Sequence, residues 1–122
     1  MLVACGVDVV SVKRFERLLE KYGSRLIKRL FPEGADYCFK KRRGELPGCL
    51  AARFALKEAT VKAYSYAGVE LPLSSVRVYG GGRELRLEVL GAPKKFRAVY
   101  SISHEREFAV AVVNLTELPQ SC

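Results

Sequence analysis

The residues that best combine reactive type with informative spacing are Glu58 and Lys62, in the stretch RFALKEATVKAY from Arg53 to Tyr64. At about 100° per residue, Leu50, Phe54 and Val61 share one helical stripe and Ala51, Ala55 and Ala59 another, with Glu58 and Lys62 between them. Thr60, Arg53 and Lys57 take a separate arc that can face water. An acid four residues before a lysine is the favourable order for an exposed pair, worth about 0.2–0.5 kcal/mol. A charge between apolar stripes is costly to bury unless a partner, metal or ligand compensates it. Spacing alone leaves both readings open.

Asp8 is the candidate partner, because a strand-end carboxylate and a helix carboxylate can together hold a hard divalent cation. Magnesium suits that arrangement: it takes one or two protein carboxylates, keeps several waters and completes its shell with substrate phosphate. Lys62, one turn beyond Glu58, would meet another phosphate oxygen as a point charge. The competing role for Asp8 is a carboxylate near the start of the following helix, favourable to its dipole. Zinc chemistry is not expected, since Cys5, Cys38, Cys49 and Cys122 show no CxxC spacing and His104 is the sole histidine. The same spacing argues against a disulfide framework, so reduced thiols are expected. His104, at a strand end in SISHERE, suits a general base, a structural hydrogen bond or a phosphate contact.

Periodicity supplies the elements that carry these groups. Residues 2 to 10 form a near-continuous apolar run suited to a buried strand, with Ser11 as the N-cap of a helix. Val12, Phe15, Leu18, Leu19 and Tyr22 mark that helix's apolar face, opposite Lys13, Arg14, Arg17 and Lys21, and Gly23 stops it. SRLIKRLF predicts a second helix ending at Pro32, and a third is expected around Ala35 to Arg43. Pro47 can open a long helix running to about Ala67. Beyond Pro72 the period becomes two, predicting an antiparallel sheet: VRVY and ELRLEVL flank a turn at Gly80-Gly81-Gly82, and FRAVYSISHEREFAVAVVNL reads as two strands. Val110 and Val112 alternate as an interface or an ordinary core would require. The glycine triplet matches no phosphate-binding loop.

A length of 122 residues predicts one domain, small enough for a second copy's surface to be needed at an active site. The 49% hydrophobic and 28% charged content is that of an ordinary globular protein, with no apolar run long enough to span a membrane. The apolar start lacks a basic leader and carries Asp8, so a cytoplasmic protein with no membrane partner is expected. The net charge of +8 is concentrated, because residues 11 to 45 hold eleven Lys or Arg against five acids, or +6. Such a charge calls for an anionic partner: nucleic acid, membrane surface, phosphorylated small molecule or acidic protein. A small nucleic-acid-binding module is the alternative reading, but it predicts aromatics interleaved with exposed basic residues. Phe15 and Tyr22 instead share the apolar helix face. A noncatalytic adaptor would leave Asp8 and Glu58 unexplained.

Three motifs in order carry a resemblance across essentially the whole chain. GVDVVSVKRFE resembles GxDxxxxxRF, RFALKEATVKAY resembles RFxxKEAxxKA, and SISHEREFAVAVV resembles SxSHxxxxAxAxV, the signatures of bacterial holo-acyl-carrier-protein synthases. The resemblance implies a single α+β domain over residues 1–122 with the 4'-phosphopantetheinyl transferase fold. It implies transfer of 4'-phosphopantetheine from coenzyme A to a serine of apo acyl carrier protein, releasing adenosine 3',5'-bisphosphate in the service of fatty acid biosynthesis. Magnesium is the family's metal. Asp8 matches the metal ligand of the first motif, Glu58 that of the second, and Lys62 the lysine that contacts the pyrophosphate. Arg53 and His104 become candidate contacts for coenzyme A, as do Lys57 and the Lys40 to Arg43 run, although charge runs are commonly solvated. Arg14 matches the arginine of the opening motif, and with Arg17 and Lys21 is expected to dock the carrier. The family also implies a homotrimer with coenzyme A sites between neighbouring subunits. Two stretches depart from the pattern: Phe31-Pro32-Glu33-Gly34-Ala35-Asp36, where relatives usually read Phe-Thr-x-x-Glu, and YSYAGVELP after the long helix, where a Gly-rich turn is common.

Overall fold

The computed structural model describes residues 1–41 and 43–119. Arg42, within the basic run, and Cys122 lie outside them. Strand β1 (Leu2–Ser11) leads into helix α1 (Val12–Tyr22), then α2 (Ser24–Leu30) and a single turn α3 (Asp36–Phe39). A short 3-10 turn, Arg43–Glu45, precedes the long helix α4 (Leu46–Tyr66). Strands β2 (Val76–Tyr79), β3 (Arg86–Val89), β4 (Phe96–His104) and β5 (Phe108–Glu117) complete the α+β chain. The junction signals act as their chemistry requires. Ser11 Oγ accepts from the Arg14 amide at 3.2 Å and so caps α1, and the Gly23 amide closes that helix onto Leu19 O at 2.8 Å. The expected third helix is shorter than periodicity suggested, because Lys40 and Lys41 lead out of it towards the separate turn before α4.

The C-terminal half is not one sheet. Strands β1, β5 and β4 form an antiparallel sheet in that order, and β2 and β3 pair separately. Alternation marks a strand but not its neighbour, and β5 pairs with the N-terminal strand on one side and β4 on the other. The three-stranded sheet lies across α4, whose Ala55, Ala59 and Ala63 are fully buried against Ala111, Val113 and Leu115. These small residues admit a very close approach. A Cβ on Gly6 would sit 2.8 Å from the Ala63 amide nitrogen and closer still to the Ala59 carbonyl oxygen. Only glycine fits there, and two residues on, the same strand face presents Asp8 to α4.

Strand β1 is buried on one face only. Val7 and Val9 are 56% and 61% exposed, beside Val112 and Val110 on β5. A second core cluster sits under α1 and α3, where Val12, Phe15, Phe31 and Cys38 meet Leu50 and Ala51 of α4. Leu18 and Tyr22, expected on the buried face of α1, are instead exposed.

The cysteine expectation needs correcting, since Cys38 and Cys49 form a disulfide. Packing of α3 against the start of α4 brings their Cα atoms to 5.5 Å, within bridging range, across a separation of 11 residues. Cys5 is free and exposed.

Candidate functional site

Helix α4 reverses the expected assignment of its two polar stripes. Arg53, Lys57 and Thr60 are 3%, 0% and 0% exposed, and the α2–α3 segment with the end of β2 closes over the two cations. Thr60 satisfies its hydroxyl on Leu56 O at 2.7 Å. Lys57 Nζ donates to Leu30 O at 2.8 Å and Glu33 Oε1 at 2.9 Å, while Glu33 Oε2 accepts from the Val78 amide at 2.8 Å. Burial lowers the proton affinity of Lys57, and the Glu33 carboxylate opposes that shift. Glu33, in a loop whose role the sequence left in doubt, is the compensating charge.

Glu58, on the stripe between the alanines and the aromatics, faces an open cleft with Asp8, and Lys62 one turn on reaches Asp8. Lys62 Nζ donates to Asp8 Oδ1 at 2.8 Å and to the Val7 carbonyl at 3.1 Å. Ser11, not Asp8, caps α1, so the carboxylate serves this cluster. Burial, then the neighbouring Asp8 charge, pushes the Glu58 carboxyl above its ordinary range, and Lys62 offsets part of the shift. The hydrogen bond that Lys62 donates to Asp8 raises its own proton affinity. Two carboxylates that repel each other across one cleft are a site whose electrostatic deficit a cation would relieve. No group of three or more His, Cys, Asp or Glu among the described residues could hold an ion alone. Two carboxylates facing one cleft fit magnesium, which draws its remaining ligands from water and phosphate.

The cleft measures ≈ 270 Å³ and is bounded by Asp8, Glu58, Arg14, Phe15, Leu18 and Phe54. Phe15 and Phe54 stack with centroids 5.7 Å apart, fixing α1 against α4. Arg14 thus stands beside the carboxylates, while Arg17 and Lys21 lie exposed along the same helix. Leu18 and Tyr22 make that face mixed, apolar as well as basic.

Arg53 and His104 sit elsewhere, in a separate cleft of ≈ 170 Å³ with Tyr37, Lys41, Gly81 and Gly82. Arg53 Nη2 donates to the Gly80 carbonyl, Nε approaches Cys38 Sγ at 3.4 Å, and the buried Nη1 has no protein partner among the described residues. Within one chain, then, Asp8, Glu58, Lys62 and Arg14 come together, and Arg53 and His104 form a second group. Sequence reasoning missed Gly6, Glu33 and Leu18. The glycine carried a signal as the first position of GxD, and Glu33 one only as part of a departure from the family pattern.

Residues 4–113 match the family model of the 4'-phosphopantetheinyl transferase superfamily. The holo-[acyl-carrier-protein] synthase of Thermodesulfovibrio yellowstonii is 38% identical over 118 residues, covering 95% of this chain and all of that one. The Thermus thermophilus synthase is 37% identical over 123 residues, covering 94% of each. Among solved structures, the Bacillus anthracis synthase in complex with CoA (3',5'-ADP) superposes with a TM-score of 0.74 at 28% identity, covering 98% of this chain and 99% of the other. The Helicobacter pylori synthase in complex with coenzyme A gives 0.72 at 25% identity, covering 92% and 99%.

Proposed function

This chain belongs to the 4'-phosphopantetheinyl transferase superfamily, and from that membership we infer that it is a holo-acyl-carrier-protein synthase. It transfers 4'-phosphopantetheine from coenzyme A to a serine hydroxyl of apo acyl carrier protein. The serine oxygen bonds to the pantetheine-side phosphorus of the pyrophosphate. The bond from that phosphorus to the bridging oxygen breaks, adenosine 3',5'-bisphosphate leaves, and the serine proton is released. The observation that carries the reading is one cleft holding Asp8, Glu58 and Arg14, with Lys62 bonded to Asp8. The alternative of a nucleic-acid-binding module draws no support from the relatives.

Phosphoryl transfer asks the protein mainly for alignment and charge neutralisation. Asp8 and Glu58 would hold magnesium, which supplies neutralising charge on the pyrophosphate when bound. Lys62, on the rim of the same cleft, offers its ammonium to the phosphate oxygens. Phe15, Phe54 and Leu18 wall one side and limit the water that could compete with serine. His104 lies with Arg53 and Lys41, which favours a phosphate contact over the base. Incubation with coenzyme A, magnesium and apo carrier should release one adenosine 3',5'-bisphosphate per carrier modified; folded protein that releases none would reject the reading.

The same inference extends to assembly. The outer face of the three-stranded sheet shows Val7, Val9, Phe108, Val110 and Val112 to solvent, an apolar patch of the kind that marks an interface. We read it as the contact between three copies, with the Asp8 cleft of one and the Arg53–His104 cleft of another as halves of one coenzyme A site. The active sample should sediment with the mass of three chains, and full activity from a monomer would refute the arrangement. No helix among the described residues is long and apolar enough to cross a membrane. The proposed setting is the cytoplasm, serving fatty acid synthesis.

Carrier docking falls on α1. Arg14 beside the metal carboxylates, with Arg17 and Lys21 further along, would receive an acidic helix and deliver its serine to the cleft. Such charges chiefly speed encounter and fix orientation, and salt screens them over roughly 8 Å. Reversing Arg14 and Arg17 to Glu should raise the carrier KM about tenfold with a smaller change for coenzyme A, and added salt should do likewise in the parent. Carrier KM values that move with neither would shift the docking surface to the groove between Tyr22 at the end of α1 and Arg25, Leu26 and Arg29 on α2, with Lys28 exposed beside it.

A further inference from the structure

Glu33 and Lys57 form an ion pair with both side chains at most 1% exposed, and phosphopantetheine transfer uses neither. Buried pairs are weak stabilisers, because desolvation offsets most of their attraction. Their hydrogen bonds show where they act. Lys57 Nζ holds Leu30 O at the end of α2, and Glu33 Oε2 holds the Val78 amide of β2 at 2.8 Å. One turn earlier on α4, Arg53 holds Gly80 O, two residues further along the same chain. Helix α4 thus grips the outgoing end of β2 at Val78 through Glu33 and at Gly80 directly.

The turn beyond Gly80 has little freedom. A Cβ on Gly81 would fall inside the ring of Tyr37, so the turn backbone lies flat on that ring. Tyr37, Gly81, Gly82, Arg53, Lys41 and His104 enclose the second cleft. A change in the height of β2 over α4 therefore reaches both the turn and the guanidinium that bonds it.

We propose that Glu33 and Lys57 are positioning residues that set the Gly80–Gly82 turn over Arg53, and through it the fit of this cleft to the phosphorylated nucleotide end of coenzyme A. The proposal rests on the reading of that cleft as a coenzyme A half-site. The pair touches no reacting atom and lies apart from the carrier surface on α1. Its loss should raise the KM for coenzyme A and spare kcat and the carrier KM, the split that marks lost uniform binding.

Glu33→Asp keeps the charge and draws the anchor back by one methylene. Glu33→Gln/Lys57→Met keeps the anchor's length and an acceptor for Val78 while removing both charges. The aspartate variant should raise the coenzyme A KM about tenfold with kcat and carrier KM within about twofold, and should speed amide exchange at Val78. The glutamine–methionine variant, which also cuts the Nζ bonds to Glu33 and Leu30, should raise the coenzyme A KM at least as much and speed exchange at Val78. Parent-like exchange at Val78 in Glu33→Asp would overturn the proposal, as would an equal loss in every kinetic constant or a parent-like coenzyme A KM in the double variant. Arg53→Gln separates the underlying reading: a coenzyme A KM unchanged by it would show that the cleft is not the nucleotide seat, whatever Val78 does.

Discussion

Glu58→Ala should lower transfer by roughly 10³-fold or more, because it removes one of the two carboxylates that would hold the proposed magnesium. Asp8→Ala should do the same. Lys62→Ala should cost less, since the proposed magnesium would still neutralise the phosphates. The fold should not suffer in Glu58→Ala. Burial and Asp8 raise the Glu58 carboxyl above its ordinary range. A group raised in this way supports the folded state only below its unfolded value, and that support is lost as pH climbs through the raised one. Once pH has passed that raised value, the linkage contributes no stability. Urea unfolding of Glu58→Ala at pH 7 should show a midpoint at or above the parent's. Near-normal turnover with magnesium would show that Glu58 is not a metal ligand.

Gly6→Ala should be the most damaging single methyl. The added carbon meets backbone atoms of Ala59 and Ala63, and no side-chain rotation can relieve a clash with a helix backbone. A loss of about 3 kcal/mol or more is expected, at the severe end of overpacking. Activity should fall too, because pushing β1 off α4 carries Asp8 away from Glu58 and Lys62. A urea midpoint equal to the parent's would show that strand and helix do not meet this closely.

How much of this could be read beforehand differs from residue to residue. The Asp8–Glu58–Lys62 cluster rested on motif matches, and the strand and helix carrying it were visible from their periods. The same helical wheel misjudged Arg53, Lys57 and Thr60. Periodicity shows that a face is polar; it does not show that the α2–α3 segment will close over it or that Glu33, 24 residues away, will supply the counter-charge. The Cys38–Cys49 bridge was hidden for a related reason, since nothing in a spacing of 11 residues reveals that a one-turn helix packs beside α4. Alternation located β2 to β5, but the pairing of β5 with the first strand depends on long-range contacts. Glu33 was legible only as a departure from a family pattern, and its function became apparent through Lys57 and Val78.

That this chain, with magnesium at Asp8 and Glu58, moves phosphopantetheine onto a carrier serine can be decided by the intact mass of the carrier. Apo carrier is incubated with coenzyme A and the parent enzyme, once with magnesium and once with a chelator. The expected result is a gain of one phosphopantetheine on the serine with magnesium, and an unchanged carrier with the chelator or with Glu58→Ala. A carrier of unchanged mass in the presence of folded parent enzyme, coenzyme A and magnesium would contradict it.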